Sequence, residues 1–277
     1  MWRLAILLTG CNAVFEIKDT RHYDAAYFDA PPDAPFTCPG LGAAAPAFSP
    51  SLHQDVIQDC SLYRERAGLV VGECTDPTTF LLDNESGSLH QPLTLQGGMP
   101  QSDYSNQKSY TELHPASDGK HLYLHHGDVG TFTYEEWALG SDGTWTFSRA
   151  IPIAGYGTMY DAFADRLLIA DGSIVAYDEY TLDGTLAYQH TADEMGLVGV
   201  VSWNVSSDGL RAFLIGVAAD SNNTAAVYYT DRAALDTAFS PARRIANVPS
   251  INELTASDDC SRIYFPALGS IFYLQQD

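Results

Sequence analysis

Four times along this chain a strand-forming run enters a turn and leaves as a second strand. The copies are Glu112-Leu-His-Pro-Ala-Ser-Asp-Gly-Lys-His-Leu-Tyr123, Asp161-Ala-Phe-Ala-Asp-Arg-Leu-Leu168, Ser202-Trp-Asn-Val-Ser-Ser-Asp-Gly-Leu-Arg-Ala-Phe213 and Glu253-Leu-Thr-Ala-Ser-Asp-Asp-Cys-Ser-Arg-Ile-Tyr264. A weaker fifth is Ser61-Leu-Tyr-Arg-Glu-Arg-Ala-Gly-Leu-Val-Val71. With Gly68, Gly119, Arg166, Gly209 and Cys260 as turn residues, the steps are 51, 47, 43 and 51 residues. A period in that range, with a strand on each side of the turn, reads as β-propeller blades. Each period holds about four strands of five to six residues. The expectation is an all-β, five-bladed β-propeller over residues 47–277, with four antiparallel strands per blade.

The residues after each turn agree. Tyr123, Phe213 and Tyr264 fall four places past it, on a face that period-two alternation buries between blades. Third strands are expected at 79–82, 132–139, 174–177, 226–229 and 271–274, rich in β-branched and aromatic residues. The fifth unit ends in its third strand, so its outer strand has to come from elsewhere. Ala238-Phe-Ser-Pro241, where the fourth unit's outer strand is expected to begin, recurs as Ala47-Phe-Ser-Pro50. Ser51-Leu-His-Gln54 likewise recurs as Ser88-Leu-His-Gln91, where the first unit's outer strand falls due. Residues 47–56 are therefore expected to be an N-terminal outer strand that completes the last blade, closes the ring and covers its sheet edge.

Ser117-Asp118-Gly119 and Ser207-Asp208-Gly209, each followed by an aliphatic-aromatic strand, resemble the WD40-like, TolB-type propeller repeats of bacterial envelope lipoproteins. The stretch Tyr229–Arg243 is similar to the inter-strand segment of such repeats, whereas Asp258-Asp259-Cys260 and Asp165-Arg166 depart from the Asp-Gly core. The resemblance implies a scaffold or binding platform. It brings no catalytic residues, and fold alone does not choose among uses.

The first residues bear on location. Arg3, the apolar run Leu4–Leu8 and Leu8-Thr-Gly-Cys11 match a lipoprotein signal peptide (1–10) with Cys11 as the lipid-attachment residue, although the apolar run is shorter than usual. By resemblance to lipoprotein sorting, Asn12 after the cysteine favours the outer membrane. Residues 11–46 then read as a lipidated cysteine and an Asp/Ala/Pro-rich tether, Asp24-Ala-Ala-Tyr-Phe-Asp-Ala-Pro-Pro-Asp-Ala-Pro35 at its centre. The membrane is reached through this lipid alone. A formal net charge of −21 with no basic cluster argues against nucleic acid or anionic lipid as a partner.

Besides Cys11 the chain has Cys38, Cys60, Cys74 and Cys260, an even set that in an exported chain reads as two disulfides. Cys60 and Cys74 lie on opposite arms of the first hairpin, which opens that pairing and leaves Cys38 for Cys260. No cysteine pair has zinc-ligand spacing.

The sequence has no Gly-x-Ser-x-Gly elbow, His-Glu-x-x-His helix or Gly-rich phosphate loop, and nothing in it calls for a cofactor or metal. His121, His125 and His126 read as blade surface. Asp83-Asn-Glu-Ser-Gly-Ser88 and Asp220-Ser-Asn-Asn223 read as polar hairpin turns. One constellation remains. The innermost strands of a propeller line its channel, and alternate positions before the turns supply Glu112, His114, Asp161, Asn204 and Glu253, with Ser202 and Thr255 beside them. These are the candidate channel ligands for a small polar molecule or a glycan, and an envelope protein is the other class of partner. The alternative is a five-bladed glycoside hydrolase or lyase that pairs Glu112 with Glu253 or Asp161 as acid and base, with Trp203, Tyr110 and Tyr160 as candidate aromatic platforms.

Overall fold

The computed structural model describes residues 53–58, 60–66, 69–74, 79–83, 90–92, 95–97, 110–128, 131–153, 157–170, 173–219, 225–247, 253–257, 260, 262–267 and 270–275. β1 (His53–Gln58) is followed by a first sheet of β2 (Cys60–Arg66), β3 (Leu69–Cys74), β4 (Thr79–Asp83) and β5 (His90–Pro92). The second sheet is β6 (Tyr110–Pro115), β7 (His121–Asp128), β8 (Thr131–Leu139) and β9 (Trp145–Ile151). The third is β10 (Thr158–Phe163), β11 (Arg166–Ala170), β12 (Ala176–Thr181) and β13 (Leu186–Thr191). The fourth is β14 (Leu197–Val205), β15 (Arg211–Ala218), β16 (Ala225–Asp231) and β17 (Arg243–Asn247). In the fifth, β18 (Thr255–Ala256), β19 (Arg262–Ala267) and β20 (Ser270–Gln275) are joined by β1, in the order β1-β20-β19-β18. The named strands all pair antiparallel, and the described residues form an all-β arrangement of four-stranded sheets. Residues 1–46, which hold Cys11, Cys38 and the stretch expected to be a tether, lie outside the described residues.

Burial within a sheet follows strand position. In β15 the run Arg211–Gly216 is buried on both faces, and in β11 so is Leu167–Ala170. A strand packed between two neighbouring sheets has no solvent face, so its sequence reads as a continuous apolar run. β12 alternates instead, and the outer strand β9 keeps only its two ends, Trp145 and Ile151, buried. Tyr123, Phe213 and Tyr264 are buried, as their spacing requires. Sheets pack through distinct clusters: Phe163, Leu168, Trp203 and Leu214 between the third and fourth, Met159, Ala162 and Tyr123 between the second and third, and Phe213, Ile215, Leu254 and Ile263 between the fourth and fifth.

The turns explain where the repeat keeps or loses its glycine. Asp118 Oδ1 accepts from the N–H groups of Lys120 (2.8 Å) and His121 (3.1 Å), and Asp208 Oδ1 accepts from Leu210 N (3.0 Å). Gly209 then takes a left-handed φ of 76°, and a Cβ there would fall 2.4 Å from Leu235 Cδ2. Cys260 occupies the corresponding turn of the fifth sheet with φ 60° and is buried.

Several boundaries differ from the sequence reading. The third hairpin is a tight two-residue turn of left-handed Ala164 and Asp165, so Arg166 begins β11 and is not a turn residue. β12 starts at Ala176, with Ile174 and Val175 exposed before it. At 238–241 the Ala-Phe-Ser-Pro sequence lies in a loop and does not begin the outer strand. Residues 232–242 run between β16 and β17, and within them Phe239 is buried while Ser240 N donates to Asp231 O (2.9 Å). Of the segment 47–56, residues 47–52 lie outside the described residues and 53–56 belong to β1, which pairs His53 with Tyr273 and Gln54 with Phe272.

Candidate functional site: a buried polar belt and an inter-sheet cleft

The first strands of successive sheets lie side by side, β2 with β6, β6 with β10, β10 with β14, β14 with β18, and β18 with β2. The candidate channel residues sit along this path. Asp161 Oδ2 accepts from Asn204 Nδ2 (3.0 Å) and Val205 N (2.5 Å), and its Oδ1 accepts from Ala162 N (2.8 Å). His114 Nδ1 lies 4.0 Å from Asp161 Oδ1. Asn204 Oδ1 accepts from Ala256 N (2.7 Å), and Ser202 Oγ accepts from Leu254 N (3.1 Å). His114, Asp161, Ser202, Asn204 and Thr255 are all buried. The structure therefore brings His114, Asp161 and Asn204 together as a belt that hydrogen-bonds the third sheet to the fourth and the fourth to the fifth, with His114 of the second sheet beside Asp161. Such bonds satisfy buried strand amides that the twist between sheets would leave unpaired. Glu253 is half-buried just before β18; Glu112 lies on β6 opposite His125, and its side chain is outside the described residues.

The same end of the molecule is drawn in further by Ser117 Oγ, which donates to Ser207 O (3.3 Å), so the turns of the second and fourth sheets touch. Trp203 is wholly buried against Tyr177 (5.0 Å between ring centroids) and Phe239 (5.8 Å), and is core, not a platform. His125 is also core and not surface: it is buried and stacked on Tyr134 at 5.3 Å. Burial, and then neighbouring His126, holds its pKa at about 4. Among the described residues no group of three His, Cys, Asp or Glu side chains is arranged to hold a metal ion.

Sequence reasoning missed two charged groupings between sheets. The first is buried. Glu179 Oε2 pairs with Arg166 NH1 (2.7 Å), and Glu179 Oε1 with both His190 Nε2 (2.7 Å) and Arg232 NH1 (2.7 Å). Arg232 arrives from the 232–242 loop of the fourth sheet, where its Nε donates to Gly209 O (2.6 Å) and its guanidinium carbon lies 4.6 Å from the Phe239 ring centroid. Burial alone would raise the pKa of Glu179, but the His190 hydrogen bond and the Arg232 charge outweigh it and hold the carboxyl below its ordinary value. The signal was present in Tyr229–Arg243, read only as an inter-strand segment.

The second grouping lines an open cleft of about 550 Å³ between the second and third sheets. His121 Nδ1 is 2.6 Å from Asp118 Oδ2 and its Nε2 is 3.7 Å from Glu136 Oε1, while Arg149 Nε donates to Glu136 Oε2. Tyr123 and Asp165 stand beside them, with Phe163, Ala164 and Leu182 as the apolar wall. Burial, reinforced by Glu136, Asp165 and Asp118, pushes the Tyr123 phenol well above its ordinary pKa, so it remains an O–H group. The volume is within the range of small-molecule sites.

No family model matches this sequence, and no curated protein matches it. Among solved structures, the glutaminyl cyclase of Myxococcus xanthus is 15% identical with a TM-score of 0.49, over 82% of this chain and 96% of that one. The C-terminal WD40 domain of Sif2 is 13% identical (TM-score 0.40; 80% and 70% covered). U3-55K is 9% identical (TM-score 0.46; 83% and 100% covered). At these values the likenesses say nothing of activity, and the strand order of the chain itself carries the fold.

Proposed function

We propose that the protein is a membrane-anchored bacterial surface or periplasmic lipoprotein of the TolB-like kind, whose five sheets are the blades of a closed β-propeller that serves as a binding or interaction module. The observation that carries the module reading is the belt. Asp161, Ser202 and Asn204 of the inner strands are hydrogen-bonded to neighbouring sheets, which commits them to holding the third, fourth and fifth sheets together and leaves recognition to the clefts and loops around them. The β1–β20 pairing and the adjacency of β18 to β2 support closure of the ring. The glycoside hydrolase or lyase reading gains nothing here, because both oxygens of Asp161 accept hydrogen bonds and Asp161 is buried.

Anchoring rests on Cys11 behind its apolar run and on the tether that follows. Cys60 and Cys74 are direct cross-strand partners in the first sheet, a placement within disulfide reach, and Cys38 with Cys260 is the complementary pairing. The test expresses the full chain and Cys11→Ser in a bacterial host, fractionates the cells and applies an amine-reactive cross-linker to intact envelopes. The reading expects the wild-type chain in the outer-membrane fraction, cross-linked to an envelope component, and the variant released. Equal distribution of the two chains removes the anchor, and a membrane-bound chain without a cross-linked partner or glycan removes the module.

A further inference from the structure

Glu136 and Glu179 hold the same place in successive sheets. Glu179 on β12 faces Leu168, the third residue of β11, and Glu136 on β8 faces Tyr123, the third residue of β7. The first residue of each second strand approaches the carboxylate, Arg166 in one sheet and His121 in the other. Both carboxylates have one oxygen on an arginine of their own sheet, Arg166 for Glu179 and Arg149 for Glu136. The other oxygen differs. Glu179 Oε1 receives the Arg232 guanidinium at 2.7 Å, whereas among the described residues Glu136 Oε1 has the imidazole of His121 as its ion-pair partner, with Nε2 at 3.7 Å.

Chain geometry explains the difference. Arg232 is delivered by the eleven-residue segment 232–242 between β16 and β17. The corresponding connection facing Glu136 is the four-residue turn 182–185 between β12 and β13, which carries Leu182 and no cation. Phe163, which the Arg232 guanidinium overlies at 5.7 Å, pairs with Arg166 at the start of the turn. Its counterpart opposite His121 is Ala116, whose N–H bonds His121 O at 2.9 Å. A short loop and a missing ring together leave the cleft where the other interface is filled. Asp165 and Asp118 border the space and add negative charge to it, on a chain whose overall field favours cations.

We infer that the cleft between the second and third sheets binds a guanidinium-bearing small molecule, which places its cation on Glu136 Oε1 in the position that Arg232 takes on Glu179. This supplies a ligand class for the binding-module reading and rests on it. Tyr123 and His121 offer hydrogen-bonding groups beside the cation, and Leu182 and Ala164 contact its apolar stem.

Calorimetric titration of the full chain tests this with L-argininamide and its neutral isostere L-citrullinamide. Argininamide is expected to bind at least about tenfold more tightly, since a desolvated charge-assisted pair is stronger than a neutral hydrogen bond. Glu136→Gln should lose that preference. Ala116→Phe, which refills the cleft without removing a charge, should also abolish binding, and the unfolding midpoint of each variant beside wild type separates loss of the site from misfolding. The exposed Asp142→Asn variant should bind as wild type. A blocked Gly-Arg-Gly tripeptide separates sources: if it binds as well, a protein-borne arginine is the natural occupant, and if it does not while argininamide does, a free molecule is. Equal binding of the two amides, no binding of either, or undiminished binding by Glu136→Gln overturns the assignment. None of these results bears on the anchor or on the cross-linking outcome, so the module reading stands or falls separately.

Discussion

Arg232 NH1 of the fourth sheet lies 2.7 Å from Glu179 Oε1 of the third, and both side chains are fully buried. Removing one member of a buried ion pair strands the other charge, at a cost of about 3–5 kcal/mol. Arg232→Met should therefore lower the free energy of urea unfolding by that order, and a loss under about 1 kcal/mol would show that Arg166 and His190 alone satisfy the carboxylate.

The belt makes a sharper claim about coupling. Asp161 and Asn204 share a hydrogen bond and lie 43 residues apart in the chain, on different sheets. Residues in one network couple by about 0.5–3 kcal/mol in a double-mutant cycle. Asp161→Ala and Asn204→Ala should each destabilise, and together by less than their sum. Strict additivity would mean that the sheets are joined by packing alone.

His125 makes stability depend on acidity. Its pKa in the folded protein is about 4, below the ordinary value of 6.5, so the unfolded chain binds the extra proton first. Stability is complete above pH 6.5, falls as pH drops toward 4, and levels below it. The span is on the order of 3 kcal/mol. His125→Phe, stacked on Tyr134 in the same way, should flatten the unfolding free energy across that window, and an unchanged slope would assign it to other groups.

The fold was legible because the repeats set a turn, Asp-Gly in two of them, before a strand-forming run, as in Ser207-Asp208-Gly209 ahead of Arg211–Gly216, which is buried on both faces. The belt was legible in position but not in role. Alternation puts His114, Asp161 and Asn204 on one face, yet whether that face opens on a channel or meets a neighbouring sheet is set by the approach of residues 43 and 52 positions apart in the chain. The Glu179 and Glu136 groupings were hidden for a related reason. Their members come from third strands and from connections of unequal length, and only register shows that the two acids are counterparts. Arg166 was misread as a turn residue because nothing local marks Ala164 and Asp165 as left-handed.

Gly209 carries a steric claim of its own. Its φ is 76°, and an added Cβ would meet Leu235 and Phe163 at 2.4 and 2.9 Å. Gly209→Ala should cost about 1–3 kcal/mol, through strain and displacement of the 232–242 loop. Fluorescence of Trp203, which packs on Phe239 of that loop, should shift with it. An unaltered spectrum and stability would contradict the tight docking of the loop on this turn.

The belt, the clefts between sheets and the module reading all presuppose a ring whose last sheet is completed by the first strand. Deleting residues 53–58 removes β1 from its pairing with β20, and thermal unfolding of that variant beside the full chain is the most direct test. A closed ring predicts a midpoint lower by about 10 °C or more, since a few kcal/mol shifts a domain of this size by several degrees each. An unchanged midpoint would mean that β1 closes nothing.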